Sequence, residues 1–396
     1  MKYATKTVLI LAFIASLLSF TKFDHCYKSN WATPDVYTHA CYSDIPALFG
    51  ARDLVNHQWP YSSTTNAVEY PPLTGVVMWA TSIITPHGVN SYKYYFLINV
   101  LLIIFLFLGV AWWISRMQPQ FWYLLPLSPA VIAALYINWD LWAVITAIGA
   151  IYFFDRKFYE RSAFLLGISI ATKFFPIVFL IPISIIFYRR LELKKFLRYL
   201  LISVGTWIIV NLPFALTTPT GWWKFFKLNS ERGADFGSLW YAVDLFGLHL
   251  KSINTFSLLL FLIGISAYAV YFFGLSELPK LSTTAFAAVA IFTISSKVYS
   301  PQYVLWLTPL AILAMREMKH RSAFWIWQAA EILYHLAIWQ YLATLEGSHF
   351  GLPANTYAIA ILVRISATIY FLVRVSTRSS APQSLEFLIS GSEGYA

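Results

Sequence analysis

The sequence predicts an all-α integral membrane protein, a polytopic bundle of eleven to thirteen transmembrane helices, and three observations predict it. Of its 396 residues 59% are hydrophobic and 12% charged, with a mean hydropathy of +0.62. No single aqueous core can hide that much apolar surface, so lipid must be the solvent. Apolar stretches of about 15 to 25 residues recur along the chain, close to the length that crosses about 30 Å of hydrocarbon as helix. Runs such as 96–115 and 256–273 are continuously apolar, which excludes the short alternating strands of a transmembrane barrel.

The net charge is +10, but the Lys and Arg residues sit mostly in short loops beside apolar runs. That is the positive-inside pattern and not a nucleic-acid surface. The inner side is marked by Arg189, Arg190, Lys194, Lys195 and Arg198, by Arg316, Lys319 and Arg321, and by Arg374 and Arg378. There is no Walker loop, Rossmann glycine pattern, zinc spacing or Gly-x-Ser-x-Gly elbow, so nucleotide use on the inner face has no support.

Taken in order, the first run, 7–20, follows Lys2 and Lys6 and lacks a small-residue cleavage site, so it reads as a retained span. An inner N-terminus then places residues 24–70 outside as a long loop. This loop holds Asp24, Asp35, Asp44, Asp53 and Glu69 and the chain's two cysteines, Cys26 and Cys41. The cysteines either pair or stand as two thiols, since their separation in space is not written in the sequence. Residues 45–55 alternate at helical spacing, which predicts amphipathic helix on the membrane face with Asp44 at or just before its N-terminal turn. Asp35, Asp44 and Glu69 could together hold a hard divalent cation, although no cofactor is required. Glu69-Tyr70-Pro71-Pro72 then opens the next run, and proline in a first helical turn accounts for that pair by itself.

Between Pro71 and Phe187, Arg116 and the cluster Arg156, Lys157 and Arg161 cannot all lie inside if every run crosses once. One segment must be re-entrant or tilted. It is either the short run after Pro72 or residues 162–187, where Lys173 and Pro176 in mid-run suggest two short helices meeting at a break. From Tyr199 the markers give six spans, 199–217, 256–273, 284–298, 302–315, 323–344 and 357–373, with 218–255 as a second outer loop. Residues 1–377 thus form one membrane domain, and 378–396 read as a disordered cytoplasmic tail.

An ionisable side chain in an apolar run costs about 2.5 to 3.5 kcal/mol on insertion scales, so each one needs a partner, a cavity or a task. Lys173 and Lys297 both lie at breaks beside proline, where a cation either snorkels to the interface or seats a phosphate. Glu331 and Arg364 read as an interhelical ion pair with His335 as a hydrogen-bonded neighbour, or as part of a site.

Several residues in this order carry a resemblance: Asp44, Trp59-Pro60-Tyr61, Glu69-Tyr70-Pro71-Pro72, Asn138 with Asp140, Thr172-Lys173 with Pro176, and Ser300-Pro301-Gln302-Tyr303 ahead of Trp306. The set resembles the polyprenyl-phosphate-sugar-dependent glycosyltransferases of the GT-C superfamily, in particular the bacterial branch of mycobacterial-type α-mannosyltransferases. The resemblance implies a GT-C-like bundle in a bacterial plasma membrane with an outward-facing cavity. There a sugar passes from a lipid-phosphate carrier to a glycolipid or glycan acceptor. It also implies that Asp44, the first-loop aspartate, is the general base. The mannosyltransferase branch carries a histidine pair where this chain has Gln302 and Tyr303, so the resemblance does not fix mannose as the sugar.

The chemistry agrees with that set. Displacing a lipid phosphate from an anomeric carbon needs a base for the acceptor hydroxyl and cations for the leaving phosphate. A single carboxylate therefore suffices and predicts inversion, unlike the paired acids of glycoside hydrolysis. The roles fall on Asp44 as base, on Lys173 and Lys297 as phosphate ligands, and on Gln302 and Tyr303 as walls of the pocket. Glu69, Tyr70, Asn138, Asp140, His335 and Arg364 are further candidates. The competing reading is a lipid or solute transporter, which the many spans alone would equally support. No inverted repeat accompanies them, however, and the long first loop has no use in alternating access. A scaffold with replaceable intramembrane charges is the third reading.

Overall fold

The computed structural model describes residues 2–63, 65–118 and 120–377, and within them the chain is helical with no strand. Five helices are long and apolar enough to cross a membrane: Thr5–Ser29, Ser91–Met117, Leu193–Thr217, Ile253–Gly274 and Ala354–Ser376. Five more apolar helices are shorter: Pro72–Ile83, Leu141–Asp155, Phe175–Arg189, Leu281–Ser295 and Pro301–Ala314. The sequence thus counts as full crossings several segments that are 10 to 17 residues long. At about 1.5 Å per residue such a helix spans some 15 to 25 Å, less than the hydrocarbon, and its polar ends must be met by other protein.

Burial sorts these helices into an inner and an outer set. Leu281–Ser295 and Pro301–Ala314 are buried almost all round, with Phe286, Val289, Leu307 and Leu310 inaccessible or nearly so. Leu193–Thr217 and Ile253–Gly274 instead expose Leu201, Ile209, Leu216, Ile263 and Val270. In water such faces would be a liability; here they supply the apolar surface a bilayer covers. One contiguous apolar core runs from Val8 to Val375.

The breaks in the helices position the site. Tyr159–Thr172 stops at Lys173, and a 3₁₀ turn, Phe175–Phe179, restarts the chain into Leu180–Arg189. Pro176 lacks the N–H needed to carry the first helix through. Of the two re-entrant candidates, 162–187 is therefore broken, whereas Pro72–Ile83 is one uninterrupted helix with proline in its first turn. A second break runs from Ser296 to Ser300 ahead of Pro301.

The first long loop departs from expectation at its start and in its helix, and its two cysteines pair. The first helix extends to Ser29, so the loop begins there and not at residue 24. Cys26 and Cys41 form a disulfide with their Cα atoms 5.9 Å apart. The helix expected over 45–55 covers Asp44–Ala51 and ends before a 3₁₀ turn at Leu54–Asn56. It buries Ile45, Pro46 and Phe49, the last stacked on Tyr95 of the Ser91–Met117 helix, so it is docked protein and not an element floating on lipid. The second long segment, 218–255, folds as helices Pro219–Glu231 and Leu239–Leu245 and ends within the start of the Ile253–Gly274 helix. The tail expected to be disordered, 378–396, lies outside the described residues.

Candidate functional site

Asp44 is the first residue of the Asp44–Ala51 helix, capped by Ser43, whose Oγ accepts from the Ile45 N–H. The same hydroxyl donates to the Tyr136 carbonyl at 2.6 Å, and the Asp44 N–H donates to the Ile137 carbonyl at 2.8 Å. These bonds seat the helix start on the turn between Ala134 and Leu141, which carries Asn138 and Asp140. The backbone at Asp44 is therefore anchored to that turn.

Asn138 is the centre of the arrangement. Its Nδ2 donates to Asp44 Oδ2 at 2.6 Å and to the Tyr70 hydroxyl at 2.7 Å. Its Oδ1 accepts from the Trp139 N–H at 2.6 Å and from Lys173 Nζ at 3.1 Å. All four capacities of the amide are in use, which fixes its orientation. Lys173, on the first helix break, is buried; it lies 3.5 Å from Asp140 Oδ1 and 4.1 Å from the centre of the Tyr70 ring. Thr74 secures the break by donating to the Thr172 carbonyl at 2.6 Å.

Asp140 is fully buried, and its Oδ1 accepts from Trp306 Nε1 at 2.7 Å while Oδ2 has no hydrogen-bond partner. Trp306 is stacked between Phe175, with ring centres 4.1 Å apart, and Tyr303, at 3.6 Å. Lys173, Asp140, Trp306 and Tyr303 thus form one continuous path.

Tyr42 donates to Asp44 Oδ1 at 2.9 Å. The Asp44 side chain keeps some solvent access, yet burial of the carboxylate pushes its pKa from 3.8 up to about 6. The hydrogen bonds from Tyr42 and Asn138 and the charge of Lys173 hold it from rising further. Burial, with Asp44 and Glu69 nearby, pushes the Tyr70 phenol well above its ordinary range. The arrangement offers a carboxylate that titrates near neutrality, joined through one amide to a buried ammonium.

The remaining candidates lie elsewhere. Glu69 is held by Arg52, with Nε and Nη2 donating at 2.6 and 2.9 Å, and this pair latches the docked helix to the segment before Pro71. Tyr61 braces the same segment by donating to the Tyr70 and Pro71 carbonyls at 3.0 and 3.1 Å. Lys297 does not join the Asn138 network. It donates to the Asn229 and Arg232 carbonyls at 2.8 and 2.7 Å and to Asn254 Oδ1. Two of the ammonium protons thus close the C-terminal end of the Pro219–Glu231 helix, and the third ties that end to the start of the Ile253–Gly274 helix. Gln302 is buried in the turn Pro301–Tyr303.

Arg364 and Glu331 pair at 2.8 Å, fully buried. The other Arg364 nitrogens donate to the Tyr299 carbonyl at 2.5 Å and the Ser300 carbonyl at 3.1 Å, so the pair satisfies the backbone opened by the second break. His335 differs from the expectation of a hydrogen-bonded neighbour, because neither ring nitrogen has a partner and the ring meets Trp339 edge-on. Asp35, Asp44 and Glu69 do not share a cation site. Asp35 faces two histidines, Asp44 faces Tyr42 and Asn138, and Glu69 is taken by Arg52. Two contributors escape a reading of the sequence, Tyr42 and Phe175. An aromatic residue two positions from an acid, or inside an apolar run, carries no signal of its own.

No family model matches the chain, and no curated protein matches it. Among solved structures it is similar to the crystal structure of ArnT from Cupriavidus metallidurans bound to undecaprenyl phosphate. The match has 12% sequence identity, covers 94% of this chain and 77% of that one, and has a TM-score of 0.47. So loose an overlay assigns neither an activity nor a substrate to this chain.

Proposed function

We propose that this protein is a membrane glycosyltransferase that moves a sugar from a polyprenyl-phosphate donor to a lipid or glycan acceptor, with Asp44 as general base. The observation that carries the reading is the convergence of Asp44 and Lys173 on opposite ends of the Asn138 amide. A base with a pKa of about 6 is largely ionised at neutral pH while still able to take a proton. The acceptor hydroxyl would give its proton to Asp44 as its oxygen bonds to the anomeric carbon. The carbon–phosphate oxygen bond would break on the opposite face, the phosphate leaving with the electron pair and the sugar centre inverting. Lys173 is the cation in place to offset the charge that develops on that phosphate. Tyr303 reaches the same place through Trp306 and Asp140 and would form its aromatic wall, whereas Lys297, Glu331 and Arg364 would support the scaffold. The donor sugar, mannose or another, would be selected by groups around Gln302 and Tyr303, and the active side would face away from the cytoplasm.

The test uses purified protein in liposomes with a synthetic polyprenyl-phosphate sugar and a labelled acceptor. Release of polyprenyl phosphate together with a new glycosidic product supports the proposal, and an Asp44→Asn rate near that of the unaltered protein removes Asp44 from it. Movement of labelled lipid between leaflets with no covalent change would establish the transporter reading instead.

A further inference from the structure

The disulfide between Cys26 and Cys41 gathers three side chains that the transferase reading does not use. His25 precedes the first cysteine and His39 lies two residues before the second, with Asp35 in the loop between them. His25 Nε2 lies 2.6 Å from Asp35 Oδ2, and His39 Nδ1 lies 2.8 Å from Asp35 Oδ1. The two imidazoles are stacked with centres 3.6 Å apart and planes 14° from parallel. The donor atoms of all three residues lie within 4.8 Å of one another, the one such grouping of His, Cys, Asp and Glu among the described residues.

We propose that His25, Asp35 and His39 form a binding site for a divalent transition metal of the zinc class, at the rim of the outer loop. Two imidazoles and a carboxylate are the donor set that zinc takes when it keeps a fourth position for water; calcium and magnesium prefer oxygen donors alone. Both imidazoles turn a ring nitrogen toward the same carboxylate, so one cation between them would meet a nitrogen from each ring and an oxygen from Asp35. The side chains are between 31% and 47% exposed, open enough for an ion to enter and for a small outward shift of each ligand. The disulfide closes the loop before any metal arrives, which lowers the ordering cost of binding.

The bound metal would also brace the segment that leads to Asp44. Tyr37, two residues after Asp35, stacks on Tyr42 with centres 5.7 Å apart and faces Trp339 at 6.4 Å. The metal site itself stands whether or not the chain transfers a sugar.

The experiment takes full-length protein in detergent with any affinity tag removed, dialyses it against chelator and titrates it with Co²⁺, whose visible absorption reports coordination. The expected result is one Co²⁺ per chain, displaced by Zn²⁺, with the signal lost in His25→Gln and His39→Gln and affinity reduced at least tenfold in Asp35→Asn. A signal that survives in both histidine variants, or no saturable signal, overturns the proposal. A second measurement needs no variant: Zn²⁺ should protect His25 and His39 from acylation by diethyl pyrocarbonate, read by mass spectrometry, while exposed His249 stays reactive. Equal modification of all three with and without Zn²⁺ also overturns it.

Discussion

Replacing Asp44 with asparagine should divide the demands of catalysis from those of folding. Burial raises the carboxyl pKa from 3.8 to about 6, so the folded protein holds this charge at a cost. Two pKa units at about 1.4 kcal/mol each put that cost near 3 kcal/mol at most, present above pH 6. Between pH 6 and 4 the folded state binds the proton more tightly than the unfolded chain does, so the cost fades as pH falls through that window. Asparagine carries no charge and keeps the shape. Its amide oxygen can accept from Asn138, and its NH₂ can donate to the Tyr42 hydroxyl, which can turn to accept. The exchange of charge-assisted for neutral hydrogen bonds removes about 1 to 2 kcal/mol of the gain. The net expectation is a variant between neutral and about 2 kcal/mol more stable than its parent at pH 8, with no advantage left at pH 4. Sugar transfer should fall at least 100-fold, the usual scale for loss of a general base. In the unaltered protein kcat/KM should drop tenfold per pH unit below about 6, and the variant's residual rate should lack that limb. Unfolding monitored by intrinsic fluorescence across pH, together with a radiolabelled transfer assay, measures both. A variant clearly less stable at pH 8, or one that transfers at the parental rate, would refute the reasoning.

Further expectations follow from the same contacts. Lys173→Gln removes the cation beside Asn138, so the acidic limb of the pH–rate profile should move to higher pH and the donor KM should rise at least tenfold; an unchanged profile would separate Lys173 from Asp44. Lys297→Gln should lower the melting temperature and loosen the 229–254 region in hydrogen exchange, with no selective change in donor KM, since all its donors serve the protein. Arg364→Met leaves Glu331 buried without its partner and should cost about 3 to 5 kcal/mol, while Arg364→Met with Glu331→Leu should cost less than the single change. Losing the Cys26–Cys41 bridge, whose partners are 15 residues apart, should cost about 3 kcal/mol on the loop-closure account, seen as a lower melting temperature for Cys41→Ser.

Physical cost decides how legible each part is in the sequence. Proline in an apolar run and a lysine without a local partner each carry a penalty visible in one dimension, so the break at Lys173 and Pro176 can be read directly. Asp44 stands out among five loop acids because an amphipathic repeat begins just after it. Lys173 and Lys297 have the same local signature, a cation beside proline at a break, yet one meets Asn138 and the other closes the end of a neighbouring helix. Only the packing of distant segments separates them. The assignment of Asn138 as the link between acid and cation is tertiary in the same way, since its partners lie 94 and 35 residues away. Composition reports apolarity and not whether lipid or protein supplies it, so the shorter helices read as full crossings. Leu281–Ser295 and Ile253–Gly274 are equally apolar to the eye, but one is buried almost all round and the other faces outward.

Both helix breaks serve the same place. A continuous helix satisfies its own backbone and leaves only side chains for chemistry, whereas a break frees backbone groups that must be met by charge, by side chains or by a bound molecule. At Ser300 the Arg364–Glu331 pair meets them, which fixes the turn carrying Gln302 and Tyr303 and lets Tyr303 stack on Trp306. At Lys173 the freed carbonyl of Thr172 is met by Thr74, and the ammonium is left to Asn138 and Asp140. Asp140 keeps one oxygen without a hydrogen-bond partner in a fully buried position, a costly arrangement in a resting core. An orphaned acceptor beside a buried ammonium is what a polar substrate group with its own proton would complete. Asp140→Asn should therefore weaken donor binding more than it weakens folding, and a variant that loses stability while keeping donor KM would place Asp140 in the scaffold instead.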